Sequence, residues 1–253
     1  MSPNGYGEHG KWSSQSEVLV AAPLEALVTR LVELASPEEG TNARRLPPER
    51  ELGEQLGMSR GALREQLAVL ERLGFLHRTQ GRGTYIDTPS DEFVRSYFTI
   101  AREFGYLTDA QFAESRMLLE EAVAEAAASR ATAEEAAALR DDVDRMIAAT
   151  RRDDHEAAFE ADVRFHRRLQ TMVDNPVLHL IHDGLSHVLR EAIRFRRLEA
   201  VAVEPVDEQG VRKTDSVHYA IVEAIEAGDP AGARQAMRQH FENWSSLGID
   251  VVR

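Results

Sequence analysis

The chain of 253 residues contains no cysteine, which excludes disulfides, thiolate metal sites and cysteine nucleophiles. It also lacks any run of about 18 apolar residues such as a bilayer-spanning helix needs. The opening segment, MSPNGYGEHGKWSSQS, has no apolar stretch resembling a secretory signal. Its glycine, serine and polar content predicts a disordered tail over residues 1–16 and a cytoplasmic protein with no membrane partner. Basic charge is scarce as well, with 30 Lys and Arg against 43 Asp and Glu, net −13. Taken as an average, that balance argues against nucleic acid. The average hides a segregated distribution: residues 41–88 carry eight arginines against six acids, a small basic block in an acidic chain. A hydrophobic fraction of 43% is enough to bury a core. The length accommodates two domains, expected at 17–88 and 89–253.

The basic block has sharp internal punctuation. LPPERELGEQLG (46–57) reads as a short amphipathic helix with prolines at its start and Gly57 at its end. MSRGALREQLAVLERLG (58–74) offers Ser59 as N-cap and a stripe of Leu63, Leu67, Leu70 and Leu73 until Gly74. Two short helices joined by a glycine-containing turn describe a helix-turn-helix. FLHRTQGRGTYI (75–86) then gives two short strands around GRG, a β-hairpin wing. Upstream, Leu24, Leu27, Leu31 and Leu34 predict a packing helix over 24–35. Arg60 and Arg64 fall at the start of the second helix, away from the leucine stripe, where a recognition helix meets base edges. Arg50 is placed for a phosphate, and Arg82, between Gly81 and Gly83, for a minor groove. Spacing alone also admits a helix pair with solvated arginines.

The whole stretch 46–86, with its pattern LPxERELxxxLGxSRxxLRExLxxLExxGxLxRxxGRGTxI, resembles the DNA-binding domain of GntR-family transcriptional regulators. The resemblance implies a winged helix-turn-helix and a DNA-contacting role for Arg50, Arg60, Arg64 and Gly81. One departure is that Gly61 and Ala62 stand where relatives often carry hydroxyl-bearing residues or proline. Gly61 stays in the expected DNA-contacting set, with fewer hydrogen bonds available at that position than in such relatives.

From Tyr106 to Asn175 there is neither glycine nor proline, and alanine, leucine, glutamate and arginine favour helix. Thr108 with Gln111 and Thr132 with Glu135 have capping-box spacing. Asn175-Pro176 and Asp229-Pro230 each set a cap before a proline. Helices are expected near 91–104, 109–129, 133–150, 153–172, 176–199, 212–227 and 230–247, with a loop over 199–210. The fold class is thus mostly α, a winged helix with a small β-hairpin wing followed by an all-α bundle. Asp162 and His166, four apart in ADVRFH, share one helix face, and His218 and His240 lie on the last two helices. Inward-facing helices of a bundle can gather such residues around a metal, although scattered surface and core histidines are the plainer reading of the same pattern. His179, His182 and His187 crowd one helix with no acidic partner at a convincing spacing, and FRR (195–197) could supply a cationic side chain, although solvated arginines are the plainer reading.

DxxFH (162–166), NPxL (175–178) and HxxIxxAIxxGDxxxAxxxxxxH (218–240) resemble the FCD ligand-sensing domain of the FadR subgroup. The resemblance spans roughly residues 91 to 247. It implies that Asp162, His166, His218 and His240 ligate one divalent ion, zinc, nickel or manganese by the chemistry of the set. Val217 replaces a common glutamate at a position that is not a ligand. A small organic acid would take the ion's open positions, with Arg116 and Asn175 as candidate effector contacts. The function so implied is a regulator, expected to be a repressor, that binds double-stranded pseudo-palindromic operator DNA as a homodimer and is released by the acid. The competing reading is a metal-dependent hydrolase with an appended DNA reader. It lacks a placed general base and is not expected.

Overall fold

Leucines one turn apart hold the N-terminal unit together. In the computed structural model, which describes residues 15–79, 81–86 and 91–247, Leu27 and Leu31 of α1 (Gln15–Leu34) share a buried cluster with Leu52 of α2 (Glu49–Leu56) and with Leu63, Leu67 and Leu70 of α3 (Arg60–Arg72). Two caps enforce the turn between α2 and α3. Gly57 takes the left-handed φ of 65° that ends α2, and the Ser59 side chain accepts a hydrogen bond from the Ala62 amide to start α3. Helix α1 begins well before the expected Leu24 and runs through Pro23. It takes in Gln15 and Ser16 of the expected tail, and residues 1–14 of that tail lie outside the described residues.

The wing pairs β3 (Leu76–Thr79) with β4 (Gly83–Ile86), Leu76 opposite Ile86 and Thr79 opposite Gly83. Gly81 and Gly83 sit at φ of 75° and 130°, a region that residues with a Cβ avoid. Two strands that the side-chain pattern does not announce, β1 (Ser36–Pro37) and β2 (Arg44–Arg45), extend the sheet to the order β1-β2-β4-β3. They form because Arg44 and Arg45 satisfy the free edge of β4 opposite Ile86 and Tyr85.

The chain divides into compact units at 1–90 and 91–253. The second contains α4 (Glu92–Glu103), α5 (Asp109–Ala128), α6 (Ala133–Thr150), α7 (His155–Thr171), α8 (Pro176–Val203), α9 (Lys213–Glu226) and α10 (Pro230–Ser246). Both capping boxes form, at Thr108/Gln111 and Thr132/Glu135. Asp229 accepts from the Gly232 amide at the start of α10. One core cluster runs through α5, α6, α7, α9 and α10, with Phe165, Leu139, Ile221 and Met237 fully buried. Helix α8 runs four residues beyond the expected 199, because Ala200 is buried and the Glu204 amide still donates to the Ala200 carbonyl. The shortened loop is pinned by Asp207, whose carboxylate accepts from the amides of Gln209 and Val211.

Helix α4 lies against α8 at Gly184. A Cβ added there would stand 2.6 Å from Val94 Cγ1 and 3.0 Å from Phe98. Gly184→Ala therefore forces α4 outward, and a destabilisation of about 1–3 kcal/mol is expected in a urea melt. An unchanged or higher midpoint would contradict this packing.

Candidate metal centre and nucleic-acid interface

Three helices deliver the candidate ligands. Helix α7 buries the stripe containing Ala158, Phe159, Asp162, Phe165, His166 and Leu169, so its carboxylate and imidazole point inward because their apolar neighbours must. His218 of α9 and His240 of α10 meet them; all four residues are 3% exposed or less. One ring nitrogen each from His166, His218 and His240 lie within 4.8 Å of one another. Asp162 Oδ1 is 3.3 Å from His218 Nε2 and 3.9 Å from His166 Nε2.

These nitrogens fit a cation better than they fit a closed core. His218 Nδ1 donates to the Asp215 carbonyl at 2.9 Å, which leaves its Nε2 as the lone-pair nitrogen. His166 Nδ1 faces the Glu120 carboxylate, which does the same for His166 Nε2. His166 Nε2, His218 Nε2 and His240 Nδ1 are all buried without a hydrogen-bond partner among the described residues, a state that buried polar atoms rarely tolerate. Burial pushes the His166 imidazole below its usual range despite the Glu120 carboxylate. Burial, then the neighbouring His218 and His166, pushes His240 well below it. Neutral imidazole is the form that ligates a metal. Burial would raise the Asp162 carboxyl, but Arg197 and the two histidines outweigh it and keep it ionised. Three neutral imidazoles and a carboxylate suit a borderline divalent ion.

Sequence reasoning missed the groups that surround this set. Arg197, expected to be solvated, is buried, with Nη1 3.1 Å from Asp162 Oδ1 and Nη2 2.6 Å from Asp215 Oδ1. It thus holds the candidate ligand Asp162 and the residue that orients His218. Glu120 bridges Arg116, His166 and His182, the last with Nε2 3.7 Å away, so His182 does have an acidic partner. These contacts join positions many residues apart on different helices, and no local spacing signals them.

A cavity of about 150 Å³ opens beside the set, lined by Arg116, Asp162, His166, His182 and Arg190 among others. A smaller void of about 20 Å³ shares Arg116, Asp162 and His166 and adds His240, Arg196 and Trp244. Arg116 therefore stands where the effector expectation puts it, but its Nε is engaged by Glu120 at 2.5 Å. Asn175 does not. It is exposed, lines neither cavity, and spends its Oδ1 on the amides of Val177 and Leu178 at the start of α8. It is a helix cap, because the Asn-Pro sequence that makes a good cap also occupies the one side-chain acceptor.

In the N-terminal unit, Arg60 is the first residue of α3 and Arg64 follows one turn later, both exposed. Arg64 Nε lies 2.7 Å from Glu49 Oε2, and Arg50 lies 3.3 Å from Glu54. Exposed pairs of this kind contribute about 0–1 kcal/mol, so a phosphate or a guanine edge can take either guanidinium. A Cβ at Gly61 would meet nothing within 4 Å, which leaves the backbone there open to close approach. Gly81 and Arg82 are exposed at the wing tip, where the Arg82 amide donates to the Thr79 carbonyl. The positive end of the α3 dipole adds to this arginine-rich face.

Comparison with known proteins gives two family matches: residues 26–86 to the bacterial regulatory proteins of the gntR family, and residues 111–243 to the FCD domain. A protein of Escherichia coli K12 named for regulation of the L-lactate dehydrogenase operon is 36% identical over 203 residues, covering 78% of this chain and 75% of its own. The HTH-type transcriptional repressor NanR of Salmonella newport is 29% identical over 244 residues, 91% of this chain and 85% of its own. Among solved structures, Streptococcus agalactiae GntR superposes with a TM-score of 0.58 at 24% identity, covering 89% of this chain and 98% of that one. It supports the fold.

Proposed function

This chain belongs to the GntR family and carries an FCD domain behind its winged helix, as DNA-binding transcriptional regulators rather than enzymes do, and from that premise we propose that it is a repressor released from its operator by a small organic acid bound at a divalent metal ion. The convergence of three buried imidazole nitrogens without hydrogen-bond partners carries the proposal. Asp162, His166, His218 and His240 would hold the ion. When bound, it would supply a Lewis-acidic centre for a carboxylate oxygen. The protein's own groups do the rest: Arg197 keeps Asp162 ionised, Glu120 orients His166, and the basic cavity wall admits an anion. A cavity of about 150 Å³ favours a small acid over a long acyl chain.

The protein would read its operator as a homodimer, each α3 in one half-site of a pseudo-palindrome. An open groove lined by Phe98, Leu107, Leu118, Leu119, Ile181 and Leu185 supports dimerisation through the C-terminal unit, since such apolar surface favours burial. No helix among the described residues is long and apolar enough to cross a membrane, and the site of action would be the cytoplasm, with the DNA. The acid can act only by binding one arrangement of the dimer better than another.

The test is elemental analysis of tag-free protein beside His166→Ala. About one equivalent of divalent metal is expected in the wild type and a clearly lower content in the variant, which loses one of the four candidate ligands and the imidazole that Glu120 orients. Absence of metal after reconstitution with zinc, nickel and manganese would sink the sensor reading while leaving the DNA reader intact.

A further inference from the structure

Helices α7 and α8 lie side by side in opposite senses, with Glu160 paired to Arg190 and Glu156 to Arg194 as rungs between them. The cavity of about 150 Å³ beside the candidate metal set follows α7 from Phe159 to Arg167 and α8 from His182 to Ile193. A second cavity of about 170 Å³ continues along the same two helices, from His155 to Phe159 and from Arg194 to Val201. Phe159 is the one side chain among the described residues that lines both. It is 1% exposed, and the Arg190 guanidinium lies over its ring, 5.0 Å from the centroid. That contact, itself fixed by Glu160, holds the ring between the two spaces.

The two spaces differ in chemistry. Arg95, Arg167, Asp183 and His187 join the candidate ligands in the wall of the first. The second presents Ala158, Leu198, Val201 and Phe159, and its two arginines are already engaged, Arg194 by Glu156 and Arg197 by Asp162 and Asp215. We infer that Phe159 is the partition that sets the length of the effector. Its ring closes the metal-side cavity around a short acid and shuts off an apolar compartment that a longer chain would fill. This rests on the metal-sensor reading above, which puts the head of the acid at the metal set. Removing the ring joins the two cavities, and an apolar space inside a protein takes up apolar groups. Each methylene buried there strengthens binding by about fourfold.

The probes are 2-hydroxybutanoate and 2-hydroxyoctanoate, which offer the metal the same head and differ only in chain length. Metal-loaded protein, with its metal content measured for each variant, is titrated with both by calorimetry. The wild type should prefer the short acid by roughly tenfold or more, because the longer chain has to overpack against the ring. Phe159→Ala should shift the ratio toward the long acid by roughly tenfold or more. Phe159→Leu, which keeps more of the core volume, should shift it part of the way, and it carries the test if the alanine variant does not fold. Adding Val201→Phe to Phe159→Ala refills the second compartment from its far end and should restore the preference for the short acid. Equal affinities in the wild type overturn the inference, as does a ratio that no Phe159 variant moves or a gain that Val201→Phe leaves intact. In those cases metal and short acid still bind, and the sensor reading stands. A protein that binds no metal, or metal but neither acid, refutes that reading and the inference with it.

Discussion

Arg197→Met is expected to destabilise the C-terminal unit by about 3–5 kcal/mol, the usual consequence of removing one partner from a buried ionic group. Arg197 is 8% exposed and Asp162 and Asp215 are 3% and 2% exposed, so the substitution strands two carboxylates away from water. Methionine fills most of the volume, which makes poorer packing a minor part of the effect. For a unit of this size the destabilisation corresponds to a melting temperature lower by roughly 6–20 °C. Arg197→Lys keeps the charge but replaces a two-pronged head with a single ammonium. It cannot reproduce the bonds of 3.1 and 2.6 Å to carboxylates of different helices, and it should fall between the two. The comparison belongs on chelator-treated protein, so that metal binding does not enter. A change under about 1 kcal/mol for Arg197→Met would mean that water or protons already relieve the two acids.

Arg60→Ala is expected to weaken operator binding by roughly 5- to 150-fold, with Arg64→Ala close behind. A bidentate arginine–guanine pair is worth about 1–3 kcal/mol. Both side chains are exposed on the first turns of α3, so neither substitution should disturb the leucine core beneath. Arg50→Ala should behave differently. Without the α2 guanidinium on its phosphate, every duplex is bound more weakly by the same factor and the salt slope falls by about one unit. Fluorescence anisotropy at fixed salt separates the roles, using an operator recovered by selection from random duplexes and a scrambled control. If Arg60→Ala weakens operator and control by the same factor, α3 does not read bases at that residue.

Much of the architecture follows from local sequence. Ser59, Thr108, Thr132 and Asp229 accept from amides within a few residues and Gly57 supplies the left-handed turn that ends α2, so helix ends can be located from the chain itself. The leucines of α2 and α3 face one core because the helical repeat requires it. The family pattern adds the DNA face and places Asp162, His166, His218 and His240, and the structure brings those four together. It does not bring Asn175 with them, whose local capping geometry takes up its side chain. Tertiary structure alone decides that Arg197 is buried between two acids and that Glu120 joins Arg116, His166 and His182. Each of these depends on contacts between helices distant in the chain, where an arginine reads as solvated until the partner helix is in place. The sequence thus determines which segments fold and where the candidate ligands stand. The packing of α5, α7, α8 and α9 decides which charges are neutralised, because burial and pairing are properties of the assembled core rather than of any segment.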